Sequence, residues 1–155
     1  MAHPKPGLLA AYLDLLQDLF EQLDAAVADL PQPALDWVPG KEMNSLAVLI
    51  THLCGSARYW IGEVAGGTPV QRDRAAEFQV RGLSEAQLRA RLSDTMGWAR
   101  EAVGRLEDAD WAATRQAGYR EHPVSVGWAL LHALEHSALH LGHAQLTRQL
   151  WAQRG

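Results

Sequence analysis

Four histidines, His132, His136, His140 and His143, recur within the stretch "LLHALEHSALHLGH", and a fifth, His52, stands far upstream in "NSLAVLITHL". On an α-helix, positions four apart drift by only about 40° and rise about 6 Å, so the four downstream rings fall within a sector of about 80°. One buried imidazole usually finds a hydrogen-bond partner. A line of four is hard to satisfy out of water. A metal ion removes that difficulty for a pair, since imidazoles at i and i+4 can converge on one ion at about 2.0–2.1 Å. Spacing alone leaves the pair open: His132 with His136, His136 with His140, and His140 with His143 are all feasible.

His52 adds a third ligand from a second element. It lies on a helical seam with Leu49 and beside Leu53, so it can point into the same interior. Three histidines from two helices would make a facial set of three nitrogens with positions left open. That is the arrangement of a catalytic ion, because structural zinc is usually closed by four ligands. Cys54 sits two residues on, about 200° around the helix, and cannot share that face. It reads as a small core residue rather than a nucleophile paired with His52.

The elements that must carry these residues are legible as periodicity. Leu8, Leu9, Tyr12, Leu15, Leu16, Leu19, Phe20, Leu23 and Val27 predict an amphipathic helix over about 7–30. Pro31, Pro33 and Pro39 end it. A second helix runs about 45–64, capped at Asn44 or Ser45 and stopped at Gly66-Gly67. A third begins at the capping box Ser84-Glu85-Ala86-Gln87, with Leu88, Leu92, Met96, Ala99, Val103 and Leu106 as its seam. The fourth spans about 125–151, with Ala129, Leu139 and Leu150 expected to flank the histidines on a core-facing surface. The segment "EDADWAATRQAGYREHP" reads as a short helical turn and a loop, and no strand is expected. The chain therefore predicts an all-α fold, a four-helix bundle in one domain over 1–155. The connection between the second and third helices is about 18 residues, long enough to cross the bundle and join two parallel helices.

Composition narrows the partners. The formal net charge of −4 argues against nucleic acid, which needs clustered Lys and Arg. No apolar run approaches the roughly 18 residues of a membrane span. The N-terminus does not read as a signal peptide, and the single cysteine suits a reducing cytoplasm.

The segment "HSALHLGHAQL" resembles the last-helix motif of the DinB-like (YfiT-like) superfamily, a His-x-x-x-His followed by x-Gly-Gln. "LDWVPG", "NSLAVLITHL" and "EF" at Glu77–Phe78 come in that family's order, so the resemblance spans the chain. It implies a four-helix bundle with a long crossover, often homodimeric, with His52, His136 and His140 as metal ligands. His143 stands where the family often has Gln. His132 and His143 are then expected to support the ligands from outside. Some members are thiol S-transferases using bacillithiol, mycothiol or glutathione.

The expected function is a metal-dependent enzyme, and the resemblance implies a small-molecule thiol and an electrophilic substrate, where the site's chemistry alone admits thiol or water. The ion is zinc first, with nickel or iron also compatible with imidazole. A metal-dependent hydrolase and a non-catalytic helical interaction module are the alternatives. Among the remaining residues, Arg72, Arg74 and Arg81 read as a solvated loop, Glu135 as a solvated or interface carboxylate, and His122 as exposed. Tyr12 and Tyr59 could donate to a water in the site. Leu130, Leu134 and Leu141, flanked by Leu131 and Ala138, lie roughly opposite the histidine stripe. They suggest a homodimer surface, unless the segment around Trp111 covers them.

Overall fold

The computed structural model describes residues 7–154. Helix α1 (Leu8–Val27) is followed by a single turn, α2 (Gln32–Leu35), then α3 (Leu46–Ala57), which continues without a break into a π-helical segment (Arg58–Ala65). The long connection carries another single turn, α4 (Arg74–Glu77), before α5 (Glu85–Val103). A 3-10 turn (Asp108–Ala112) and two-residue strands β1 (Thr114–Arg115) and β2 (Val124–Ser125) lead into α6 (Val126–Gln153).

The helix starts follow from their caps. Ser45 Oγ accepts from the Val48 amide, and Ser125 Oγ from the Trp128 amide. Ser84 and Gln87 form the reciprocal capping box that starts α5. Each satisfies an amide that the first turn leaves without a helical partner. The second helix departs from a plain α-helix near its end, where the Gly66 amide bonds to the Ile61 carbonyl in an i→i+5 pattern. Gly67 then takes φ 71°, a left-handed conformation that ends the segment cheaply only in glycine.

Side-chain register shows how the four long helices run. Cys54 faces the Arg91 carbonyl, Arg58 Nε donates to Thr95 Oγ1, Gly62 lies against the Trp98 indole, and Gly66 against Ala102. Both sequences advance together, so the α3–π helix and α5 are parallel. Gln17 meets Arg100 and Asp24 meets Arg89, so α1 and α5 are antiparallel. His52 meets His136 while Trp60 meets Trp128, so the second helix and α6 are also antiparallel. The bundle is thus up-down-down-up, and the connection between its two parallel helices must cross its length.

The common core is built from Leu16, Leu23, Ile50, Leu53, Ile61, Leu88, Leu92 and Leu130, drawn from all four long helices and almost wholly buried. Each such burial is worth about 1.5–3 kcal/mol.

Three expectations need correcting. The loop after α5 contains strands: Thr114 pairs with Ser125 and Arg115 with Val124 in an antiparallel register, a pairing too short to leave a period-2 pattern. Leu139 does not flank a core face, being 56% exposed. The core face of α6 is instead Ala129, Leu130, Ala133, Ser137, Leu141 and Ala144, turned about 80° from the histidine stripe. Leu130 and Leu141 therefore belong to the core and cannot form a second surface. Trp111 packs on α6 at Gly127, one turn before Leu130 and Leu131. The large apolar residues that α6 leaves exposed are Leu131, Leu139 and Leu146.

Candidate metal centre

The offset between stripe and core face decides the character of the site. Because the histidines stand at the margin of the buried arc, His136 and His140 are half-buried rather than enclosed, while His52 on α3 is buried. The site therefore opens on one side and is backed by the bundle on the other.

Three of the five candidate rings converge. His52 Nε2 lies 3.2 Å from His136 Nε2, and His140 Nε2 lies 3.2 Å from the same atom. All three ligand atoms fall within 4.8 Å of one another. Two nitrogens each about 2.1 Å from one ion stand about 3.0 Å apart at a right angle and about 3.4 Å apart at the tetrahedral angle. The observed contacts lie between those values.

Protons alone serve this cluster badly. His52 Nδ1 donates to Glu77 Oε2 at 2.8 Å, which leaves the Nε2 of a neutral His52 as a bare acceptor facing His136. A proton on His136 Nε2 can lie along only one of the two lines to His52 and His140. His140 Nδ1 is buried without a partner. A cation drawing on three lone pairs resolves the crowding at Nε2, so the donor set fits a divalent metal ion.

The electrostatics agree. Burial, then the neighbouring His140 and His52 rings, push His136 down to about 3. Burial, then His52 and His143, push His140 down to about 4. Both rings are thus neutral, as ligation requires, well below neutral pH. Burial alone would raise Glu77, but the hydrogen bonds and charge of His52 and Arg72 outweigh it and hold the carboxyl below its ordinary value.

The other candidates take different places. His132 stacks on Trp128 with ring centroids 4.8 Å apart and stands 6.1 Å from the His136 ring, outside the converging set. The exposed His143 edges against His140, centroids 5.5 Å apart. Glu135 is a solvated carboxylate 3.7 Å from His132 Nδ1. The Tyr59 hydroxyl is taken by the Gly118 amide at 2.7 Å, and the Tyr12 hydroxyl is buried without a partner. Cys54 is buried, its thiol pushed up to about 12 mainly by that burial, which suits a core residue rather than a nucleophile. His122, Arg74 and Arg81 are exposed, as the sequence predicts.

Arg72 is the exception. It is not solvated: its Nε and Nη2 grip the two oxygens of Glu77 at 2.7 and 3.0 Å, and both side chains are 8% exposed. Glu77, which joins His52 to Arg72, is the buried residue at the cluster that reasoning from spacing missed. Its sequence signals were the adjoining Phe78 and the cap Asp73, whose side chain accepts from the Ala76 amide and starts α4. A cavity of about 600 Å³ lies beneath the crossover, lined by Thr51, Arg58, Arg72, Glu77, Arg91 and Asp94 and by none of the histidines. The imidazoles are the candidate metal site, since three ligand atoms converge there.

The profile of the DinB superfamily matches residues 15–144. The chain belongs to the DinB superfamily. A comparison with curated proteins gives no match. Among solved structures, this DinB-superfamily chain is similar to YfiT from Bacillus subtilis, described as a probable metal-dependent hydrolase with an unusual four-helix bundle topology. The TM-score is 0.76 at 14% identity, covering 99% of this chain and 94% of that one. A conserved protein from Enterococcus faecalis gives a TM-score of 0.75 at 14% identity, covering 97% and 100%. A DinB-like protein from Bacillus cereus gives 0.74 at 13%, covering 91% of each. At such identities the likeness speaks to the fold, and the bundle with its crossover is common to the superfamily member and its neighbours. No helix among the described residues is long and apolar enough to cross a membrane.

Proposed function

We propose that this DinB-superfamily chain is a metal-dependent thiol S-transferase whose ion is held by His52, His136 and His140. The observation that carries the reading is the convergence of three Nε2 atoms at the half-open margin of the bundle. A divalent ion there, zinc first and nickel or iron next, would supply a Lewis acid that favours the deprotonated form of a small thiol at neutral pH. In the transfer, the thiol proton would pass to solvent as a sulfur–carbon bond forms at the electrophile; the carbon–halogen bond would break to release halide, or the epoxide C–O bond would open and its oxygen take a proton from solvent.

The chain's own residues hold and shape the site. His52 is fixed by Glu77, and His136 and His140 are spaced by one turn of α6. Trp60, Trp128 and His132 pack edge-to-face and face-to-face beside the imidazoles and give the rim an apolar, aromatic wall suited to an electrophile's carbon skeleton. Exposed Leu131, Leu139 and Leu146 on the same helix favour a homodimer, and the lone buried Cys54 suits a cytoplasmic protein. The second reading, a metal-dependent hydrolase with water in place of the thiol, is favoured by the description of YfiT.

Cobalt substitution tests the proposal. Bacillithiol, mycothiol or glutathione should produce a strong near-ultraviolet charge-transfer band, one of them at far lower concentration than the others. That thiol should react with a halogenated aromatic or an epoxide faster with the protein than without it. His52→Ala should abolish both effects and leave the helical circular dichroism largely intact. If no thiol perturbs the cobalt spectrum, the transferase reading fails. Turnover of esters or amides would put the hydrolase in its place.

A further inference from the structure

The crossover reaches the histidine cluster through one side chain. Glu77 ends α4, is 7% exposed, and directs Oε2 at His52 Nδ1 while Arg72 clamps both its oxygens. The approach is possible because of Gly55, one turn after His52 on the same face of α3. A Cβ at position 55 would collide with the Glu77 carboxylate. Arg72 is steadied in turn by two aromatic faces, its guanidinium carbon lying 6.0 Å from the centroids of both Tyr59 and Tyr119. Phe78 lies against the His52 ring, centroids 4.6 Å apart.

From this arrangement we infer that Glu77, seated on Gly55 and gripped by Arg72, is a positioning residue. It holds His52 as the Nδ1–H tautomer with Nε2 presented to the metal, and so ties the crossover to the occupancy of the site. The inference rests on the metal reading above for its second half only. A free imidazole prefers its proton on Nε2, which would block ligation by that nitrogen. The Glu77 carboxylate accepts only from a protonated Nδ1 and reverses the preference. A carboxylate in this position also raises the basicity of the ligand behind which it stands. Coupling is reciprocal: if a docked crossover tightens metal binding, bound metal must tighten docking of the crossover by the same factor.

The test uses the full chain in three measurements. Nitrogen-15 NMR of the metal-free protein should show His52 as Nδ1–H in the wild type and as Nε2–H in Glu77→Ala. Zinc affinity, by competition with a chromophoric chelator, should fall about 10- to 100-fold in Glu77→Ala. Zinc should slow amide exchange across residues 70–80 in the wild type and leave it unchanged in Glu77→Ala. Glu77→Gln keeps an oxygen that can accept from Nδ1. It should restore the tautomer and most of the affinity, and Gly55→Ala stands in if Glu77→Ala does not fold. Gly55→Ala should shift tautomer and affinity in the same direction as Glu77→Ala without altering the carboxylate. Wild-type tautomer and affinity in Glu77→Ala would overturn the inference. If the wild type binds no zinc, the metal reading fails, and the metal-free spectra still decide whether Glu77 sets the tautomer.

Discussion

His52 and Glu77 stand 25 residues apart in the chain and meet at 2.8 Å, Nδ1 to Oε2, between the second long helix and the crossover. The contact joins the two features that set this bundle apart from a plain up-and-down one: an open cluster of imidazoles, and a long connection that must pass beside it. The same 28-residue helix that supplies His136 and His140 also buries Leu130 and Leu141, so core and site share one scaffold. Three imidazoles on rigid helices, with His52 held from behind by the buried Glu77, would need little reorganisation to receive an ion.

The depressed His136 and His140 values predict how the metal-free protein responds to acid. In the folded chain these rings protonate only near pH 3 to 4, whereas in the unfolded chain they do so near 6.5. Between those limits the unfolded state binds more protons, so stability falls as pH falls from about 6.5 towards 4. Two such rings could cost up to about 2.7 kcal/mol per pH unit. Solvent access to half-buried rings cuts this to roughly 1 kcal/mol. Urea midpoints measured without metal at pH 7, 6, 5 and 4 should decline over this range. His136→Ala/His140→Ala should flatten the decline, and an unchanged slope in that variant would place the acid sensitivity elsewhere.

Adjacent leucines on α6 should behave as opposites. Leu130 is fully buried and Leu131 is 52% exposed. Leu130→Ala should lose about 2–5 kcal/mol of stability through lost burial and the cavity left behind. Leu131→Ala should stay within about 0.5 kcal/mol in a dilute monomer. If Leu131 lies in a homodimer interface, its replacement should instead weaken self-association by sedimentation. Equal losses in the two variants, independent of protein concentration, would contradict the orientation of α6.

Much of this architecture was legible before any coordinates. Apolar periodicity marked α1, the Ser84 box marked the start of α5, and the cap expected at Asn44 or Ser45 falls at Ser45, whereas the Ser125 cap of α6 emerges only in the structure. The length of the second connection already pointed to parallel helices. What misled was the fourth helix, which has apolar residues all round. Spacing puts Leu139 on the core-facing side with the histidines and Leu141 on the far side, yet Leu139 is exposed and Leu141 buried, because α6 packs against both α1 and the second helix and buries an arc offset from the histidines. Spacing could bring His136 and His140 together but could not choose them over neighbouring pairs, since that choice depends on where His52 sits opposite. Glu77 escaped because its partner is remote in sequence and its own turn is only four residues long. A buried glutamate in a polar connection leaves no periodic trace.

The central claim is that His52, His136 and His140 hold a divalent ion. The most direct measurement is the metal content of protein purified without an affinity tag from metal-replete cells, wild type beside His136→Ala. Removing the imidazole whose Nε2 lies 3.2 Å from both others should leave too few donors to retain the ion. The account predicts about one equivalent of metal in the wild type and a near-complete loss in the variant, with helical circular dichroism preserved in both. A wild-type protein free of metal, or a full complement retained by His136→Ala, would contradict it.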